Sequence, residues 1–241
     1  MISIAIFTYK RLNKLNRCIT SINHFDCKEI LVFNDDEENA LGIEQLSVKP
    51  ELKKQIKIFN PKDFNLIGRE FRKPLYMNKA VELSCTNKIL FSDDDGVFDS
   101  NSVMIHDKQL NNYKFCAGSI KRNKLIKNHI SHNILQGTNL SFNKKFYKDL
   151  NGYDEEYIKT GGGGDVDFWY RIYCKVLESN ISVAYLVNAS QRVRGKSTRK
   201  KDRVKARLYT MQKHNITNKS KMYKWFPEIR QKNNWMQLVN G

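Results

Sequence analysis

The alternation of short apolar strands with helical segments constrains this chain most. Apolar runs that predict buried strands occupy residues 2–8, 29–35, 55–60 and 88–95; the first is rich in β-branched residues, and the second and fourth end in acids. Between them, residues 11–24 carry Leu and Ile at helical spacing, and Pro74 is placed to open a second helix. This alternation predicts an α/β fold with a mixed, mainly parallel central sheet and flanking helices. Ligands of such folds bind beyond the carboxyl ends of the strands.

The rest of the chain continues the pattern less regularly. Further strands are predicted at 114–120, 132–142 and 182–188, and helices at 143–150 and 165–179. After these, Val204, Leu208 and Met211 are spaced as the apolar face of one more helix. We therefore expect one α/β domain over residues 1–190 and a basic, partly helical extension over residues 191–241, packed on or beside it.

Polar residues follow three of the predicted strands at the same edge of the sheet: Thr8 to Arg11, Asp35 with Asp36, and Asp93 to Asp95. Three adjacent carboxylates repel one another and need a counter-charge, for which a divalent cation with oxygen ligands is suited. In extended backbone Asp93 and Asp95 share a side, so both can approach one ion while Asp94 points elsewhere. An acidic turn or a calcium loop is the alternative interpretation.

Charge and cysteine content indicate the partners and the cellular location of the protein. The chain has a net charge of +17, and residues 192–224 contain 13 Lys and Arg against the single acid Asp202. Such a segment attracts anionic lipid, acidic glycan or nucleic acid, unless it is only a solvated basic tail. The five cysteines form no Cys-x-x-Cys pair, and the first residues do not resemble a signal peptide. We expect a cytoplasmic protein, with peripheral contact to an anionic membrane through residues 192–224.

The segment KILFSDDDGVF resembles the strand and Asp-x-Asp motif of nucleotide-sugar glycosyltransferases of the GT-A fold, in particular the inverting family-2 type. FTYKR and FNDDEEN resemble that family's first and second strands, and Asn78 stands where many members carry an Arg-Asn pair, with Met77 replacing the Arg. In this family an aspartate after the second strand reads the uracil, a role for Asp35 or Asp36. The donor-binding residues implied by the resemblance are Thr8, Tyr9, Arg11, Asp35, Asp36, Asn78, Asp94, Gly163 and Arg194.

The segment GYDEEYIKTGGGGDVDFWYRI resembles the second signature of the galactosyltransferase-like and chondroitin-polymerase-like branches. The resemblance implies that Asp165, at a helix start, is the base that accepts the proton of the acceptor hydroxyl. A helix N-cap without a catalytic role is the alternative for this residue. Gly164 stands where the family has an acceptor-contacting Glu, so Gly164 and Asp167 are the acceptor-side candidates, and Asp167 is also spaced to pair with Arg171.

Together these resemblances imply a metal-dependent inverting transferase. Mn²⁺ or Mg²⁺ would lie on Asp93 and Asp95, with a third ligand among Asn188, Ser190 and Gln191, or it would be held by Asp95 and the donor phosphates alone. The donor would be a UDP-sugar carrying galactose, N-acetylgalactosamine or N-acetylglucosamine, and the acceptor a glycan or lipid-linked glycan. Arg192, Arg194 and Lys196 would clamp the diphosphate from a loop.

Three other classes stay open. A catalytically degenerate transferase that only binds ligands would account for Gly164 and Met77. A basic nucleic-acid-binding protein would account for the charge of residues 192–224, although the strand-end acids argue against it. A nucleotidyltransferase would normally place a glycine-rich loop after the first strand, and FTYKRLNK contains no glycine.

Overall fold

Ten strands in the described part of the chain form a single mixed sheet in this computed structural model. The described residues are 1–66, 68, 72–122, 125–127, 137–193, 203–216 and 236–240. The strands are β1 (Ile2–Thr8), β2 (Cys27–Asn34), β3 (Ile56–Phe59), β4 (Lys88–Asp93), β5 (Gly96–Phe98), β6 (Phe115–Arg122), β7 (Leu125–Lys127), β8 (Leu140–Asn143), β9 (Val183–Val193) and β10 (Gln237–Val239). The α-helices are α1 (Leu12–Thr20), α2 (Pro50–Lys53), α3 (Lys73–Leu83), α4 (Ser102–Gln109), α5 (Lys144–Asp149), α6 (Gly164–Ser179) and α7 (Arg203–Lys213).

The strand order explains which chain segments can share a site. Across the sheet the order is β10-β9-β6-β8-β4-β1-β2-β3, with β5 paired to β9 and β7 to β6. β1 pairs in parallel with both β2 and β4, so these three strands end at one edge. β8 runs antiparallel between β4 and β6, and β6 pairs in parallel with β9. The predicted fold class, an α/β fold with a mixed, mainly parallel sheet and flanking helices, is confirmed.

The side chains of β1 alternate between two apolar clusters, one on each face of the sheet. Ile4 and Ile6 pack in the cluster that includes α1, whereas Ala5 and Phe7 pack in the cluster that includes α3 and α6. Burying one large aliphatic or aromatic side chain contributes about 1.5–3 kcal/mol. Packing on both faces therefore fixes the central strands, and with them the polar residues that follow their ends.

The helix α7 buries a different face from the one predicted. Val204 and Leu208 are 66% and 59% exposed, whereas Ala206 and Thr210 are 7% and 2% exposed. The hydroxyls of Thr210 and Tyr157 lie 2.5 Å apart, which joins α7 to the segment before the glycine run. Small side chains permit this close approach, whereas the larger apolar ones would hold the helix away. The predicted apolar face is therefore wrong for Val204 and Leu208, whereas Met211 is partly buried and packs against the core as predicted.

Some sequence expectations fall outside the described residues. The strand predicted over residues 132–142 is described only from Gly137 onward, where β8 occupies its end. Arg194, Lys196 and most of the predicted basic extension also lie outside. None of the helices in the described part of the chain is both long and apolar enough to cross a membrane.

Candidate functional site

The aspartates after β4 lie beside the loop that follows β1. The buried Asp94 accepts hydrogen bonds from Thr8 Oγ1 at 2.7 Å and from Arg11 Nε at 3.0 Å. Arg11 Nη1 lies 3.5 Å from Asp95 Oδ2. Burial raises the pKa of Asp94 to about 6, even though the charge of Arg11 opposes the rise. Two predicted donor residues, Thr8 and Arg11, are thus held at the end of β4 by a carboxylate.

Asp93 pairs with a lysine that the sequence analysis does not single out. Lys73, the first residue of α3, donates from Nζ to Asp93 Oδ1 at 2.5 Å and to the carbonyl oxygen of Gly137 at 3.3 Å. Burial alone would lower the pKa of Lys73, but the nearby carboxylates of Asp93, Asp165 and Asp95 raise it. Lys73 is therefore an ammonium ion at neutral pH, placed among three carboxylates.

Asp165 reaches the same place from the glycine run. The helix α6 begins at Gly164, so Asp165 lies in its first turn, where the helix dipole favours a negative charge. Tyr153 donates a long hydrogen bond of 3.4 Å to Asp165 Oδ1. A Cβ atom at Gly137 would lie 2.4 Å from the same oxygen, so the backbone at Gly137 can approach Asp165 only because it lacks a side chain. Asp165 and the predicted metal ligand Asp95 therefore lie close enough to the Lys73–Asp93 pair to attract its ammonium.

The donor set fits a divalent cation only in part. The carboxylates of residues 93–95 and Asp165 offer hard oxygen ligands, and the two cationic side chains in contact with the triplet, Lys73 and Arg11, leave its surroundings net negative. Within the described ranges, however, no three His, Cys, Asp or Glu side chains are grouped as a metal-binding set. A bound Mn²⁺ or Mg²⁺ would need further ligands, which a diphosphate can supply.

The residues considered for a third metal ligand are engaged elsewhere or exposed. Gln191 is buried and donates from Nε2 to Ser92 Oγ at 2.6 Å, which braces the last residues of β4. Ser190 donates to Asp99, and Asn188 is exposed to solvent. Gln191 therefore supports the strand rather than extending the ligand set.

The predicted basic clamp is described only in its first residue. Arg192 lies in β9, not in a loop, and its Nε is 3.2 Å from Asp99 Oδ1. Arg194 lies outside the described residues.

Tyr9, another predicted donor residue, is half-buried, and the ammonium of Lys10 lies 5.6 Å from its ring centre.

The aspartates after β2 are held by the chain itself. Asp35 Oδ1 accepts a hydrogen bond of 3.0 Å from Nη1 of Arg72, a residue that is 2% exposed. Asp36 accepts hydrogen bonds from Asn39 Nδ2 at 2.9 Å and from the backbone N–H of Glu38 at 3.2 Å. Both carboxylates are buried and already accept hydrogen bonds within the chain.

Asn78 is directed away from the strand-end carboxylates. Its Oδ1 accepts from the hydroxyl of Tyr147 at 2.7 Å and from the backbone N–H of Tyr153 at 2.9 Å. Its Nδ2 donates to the carbonyl oxygen of Tyr153 at 2.9 Å and to Glu155 at 2.8 Å. The amide of Asn78 therefore fixes the loop that carries Tyr153, and its expected contact with the donor stays a prediction.

Asp167 is not placed where an acceptor could contact it. The residue has no solvent exposure. The predicted pairing with Arg171 is present, with Nε 2.9 Å from Asp167 Oδ2. Lys213 Nζ and His214 Nε2 approach Asp167 Oδ1 at 3.0 and 2.7 Å. Asp167 therefore joins the start of α6 to the end of α7, and its assignment to acceptor binding needs this correction.

The glycine run forms a tight turn that α7 covers. Gly163 has φ of +100°, and a Cβ atom there would lie 2.7 Å from the Cβ of Ala206. Gly164 is buried, with Tyr153 and Tyr157 both 3.4 Å from the place of a Cβ. A Cβ atom at Gly164, where the family carries a Glu, would make ordinary van der Waals contact with these rings. The neighbours of Gly163 and Gly164 in the described part of the chain are Ala206, Tyr153 and Tyr157, and not the carboxylates around Lys73.

We expect Gly163→Ala to lower the free energy of unfolding by about 1–3 kcal/mol, because it adds strain at positive φ and a clash with Ala206. Denaturant unfolding measures the loss. Gly68→Ala is a matched control, since Gly68 also has positive φ but has no atom within 4 Å of a new Cβ. Equal losses in the two variants would show that contact with α7 adds nothing.

Comparisons with known proteins identify the architecture. Crystal structures of S. aureus TarS, a glycosyltransferase, superpose on this chain. The TarS 1-349 structure gives a TM-score of 0.63 at 10% identity, covering 95% of this chain and 70% of TarS 1-349. A longer TarS structure gives 0.65 at 14% identity and 96% coverage, but the chain spans only 43% of its length. TarS 1-349 in complex with UDP gives 0.62 at 11% identity, covering 96% and 71%.

The sequence itself adds no family assignment. A comparison with protein-family profiles gives no match, and a comparison with curated protein sequences gives none either. At 10–14% identity the structural likeness concerns the path of the backbone and not the side chains. The chain therefore shares the fold of TarS, with Asp93, Asp94 and Asp95 at the carboxyl end of β4 and Asp165 in the first turn of α6.

Proposed function

We propose that this protein is an inverting glycosyltransferase that moves a sugar from a UDP-sugar to a hydroxyl group of a glycan or lipid-linked glycan. The observation that carries the proposal is that Lys73 pairs with Asp93 while its ammonium is also attracted by the carboxylate of Asp165. One acid comes from the end of β4 and the other from the first turn of α6, more than seventy residues later. A fold-stabilising role alone does not require carboxylates from distant segments to gather at a partly open edge.

The chemistry proposed is a single in-line displacement. The oxygen of the acceptor hydroxyl forms a bond to the anomeric carbon while the bond from that carbon to the phosphate oxygen breaks. The electron pair of the broken bond leaves with UDP, and the hydroxyl proton goes to the carboxylate of Asp165. Tyr153 restrains that carboxylate; burial raises the pKa of Tyr153 well above its usual value, so its hydroxyl stays protonated and can donate. The product has inverted configuration at the anomeric carbon.

The remaining residues would hold the donor diphosphate. Asp93 and Asp95 would bind Mn²⁺ or Mg²⁺, which when present neutralises charge on the leaving diphosphate. Arg11 is anchored by Asp94 and is 21% exposed, so its guanidinium keeps a surface for phosphate oxygens. The buried Thr8 fixes Asp94 in turn. We assign the uracil contact to the region of Asp35 and Asp36 by resemblance.

The donor nucleotide is supported by the TarS complex, which contains UDP. Galactose, N-acetylgalactosamine and N-acetylglucosamine all remain candidates for the transferred sugar. The acceptor is proposed to be anionic, because residues 192–224 carry a large positive excess. The exposed Val204 and Leu208 lie within that basic segment, a combination suited to contact with an anionic membrane surface.

We expect UDP to bind in the presence of Mn²⁺, and the double variant Asp93→Ala, Asp95→Ala to weaken this binding at least about tenfold, because it removes both proposed cation ligands. Isothermal titration calorimetry with and without Mn²⁺ measures both effects. The control removes two exposed acids, Asp149 and Glu178.

The outcomes separate the candidate functions. UDP binding with no transfer to any acceptor would favour a degenerate binding protein. If the wild type bound neither UDP nor another nucleotide, with or without metal, the proposed function would be wrong. Nucleic-acid binding through the basic segment would then become the leading alternative.

A further inference from the structure

Lys73 is paired with Asp93, one of the two residues proposed to bind the metal ion. Its Nζ lies 2.5 Å from Asp93 Oδ1, and its charge is also felt by Asp95, the other proposed ligand. The side chains of Lys73 and Asp93 are 19% and 31% exposed, so the pair lies at a partly open position rather than in the core. In the nucleotide-free protein, Asp93 already has a cationic partner.

An ammonium ion and a divalent cation compete for the same carboxylate. The positive charge of Lys73 also repels any cation that approaches Asp93, and a divalent ion feels twice the repulsion of a monovalent one. Arg11, 3.5 Å from Asp95, adds a second cation beside the triplet. The charged groups that attract the ammonium of Lys73 are the carboxylates of Asp93, Asp95 and Asp165. Lys73 therefore weakens, without abolishing, the attraction of these carboxylates for a metal ion.

A bound nucleoside diphosphate reverses this balance. It brings negative oxygen atoms to the end of β4, and these can accept hydrogen bonds from Lys73 Nζ in place of Asp93 Oδ1. Asp93 is then released for a cation. The position of Lys73 in the first turn of α3 suits this exchange, because its side chain is flexible and the helix N-terminus also attracts anions.

We propose that Lys73 couples metal binding to donor binding: it keeps a divalent cation off Asp93 in the nucleotide-free protein and transfers to the diphosphate when the donor arrives. This inference rests on the proposed function. Because coupling between two ligands is reciprocal, the metal and the nucleotide must each strengthen the binding of the other, and Lys73 must contribute to that coupling.

The test measures Mn²⁺ affinity by electron paramagnetic resonance without nucleotide, and UDP affinity by calorimetry at saturating Mn²⁺. We expect Lys73→Met to bind Mn²⁺ alone about tenfold more tightly than the wild type and to bind UDP about tenfold more weakly. Lys79→Met is the matched control, since Lys79 lies on the same helix but pairs with Glu82 on the surface. It should leave both affinities unchanged.

The opposite signs of the two effects make the test decisive. Equal or weaker Mn²⁺ binding by Lys73→Met, in a wild type that binds UDP with Mn²⁺, would overturn the coupling while leaving the proposed function intact. A wild type that binds no UDP would overturn both. Circular dichroism checks folding, and Lys73→Gln replaces Lys73→Met if the apolar side chain disturbs the fold.

Discussion

Asp165→Asn is expected to lower kcat for sugar transfer by about 10²–10⁴-fold while leaving UDP affinity within about threefold of the wild type. The amide has the size of the carboxylate and keeps the acceptor for the Tyr153 hydroxyl, but it cannot take the proton of the attacking hydroxyl. Transfer assays with a UDP-sugar panel, together with calorimetry for UDP, measure the two quantities separately.

Glu178→Gln is the matched control for this variant. Glu178 lies in the last turn of the same helix α6 and is exposed, so its replacement removes one negative charge without touching the site. It should leave kcat unchanged. Asp165→Asn with nearly normal turnover would remove Asp165 from the mechanism, and its place at the start of α6 would then reflect helix capping alone.

The sheet was predictable because its central strands carry local signals. Residues 2–8 form an unbroken apolar run, as expected for a strand packed on both faces, and β1 occupies these residues. The helix predicted from residue 165 begins at Gly164. The long β9 was underestimated, since Gln191 and Arg192 lie within the strand although their polarity suggested a loop.

The site was predictable only where residues follow strand ends. Arg11, three residues after the end of β1, contacts Asp94 and Asp95 at the end of β4 because the two parallel strands end at one edge. Lys73 was missed because its role depends on where α3 begins relative to β4, a distance between segments that spacing along the chain does not reveal. The neighbouring Pro74 indicated the helix start, and that was the available signal.

The role of Asp167 was also not predictable, because two of its partners are close in space but far away along the sequence. The spacing of four residues predicted Arg171, but Lys213 and His214 lie more than forty residues further along the chain. The face of α7 was mispredicted for a related reason. Hydrophobicity alone favoured Val204 and Leu208, whereas close packing on the glycine run required small residues.

Asp167→Asn is expected to lower the free energy of unfolding by about 3 kcal/mol at neutral pH, because it leaves the positive charges of Arg171 and Lys213 without their buried partner. Urea unfolding measures the loss. Asp149→Asn is the control, since Asp149 is exposed at the end of α5. It should change stability by less than about 0.5 kcal/mol.

The same contacts give this loss a defined pH dependence. Burial alone would raise the pKa of Asp167, but the hydrogen bond from His214 and the charges of Arg171 and Lys213 lower it from 3.8 to about 2. A carboxyl group whose pKa falls on folding stabilises the protein above its unfolded pKa, here by roughly 2–3 kcal/mol, and this stabilisation disappears as the pH falls through the folded pKa. The stability difference between the wild type and Asp167→Asn should therefore be full above about pH 4 and shrink towards pH 2. A difference that stayed constant over this range would mean that Asp167 acts through packing rather than through its charge.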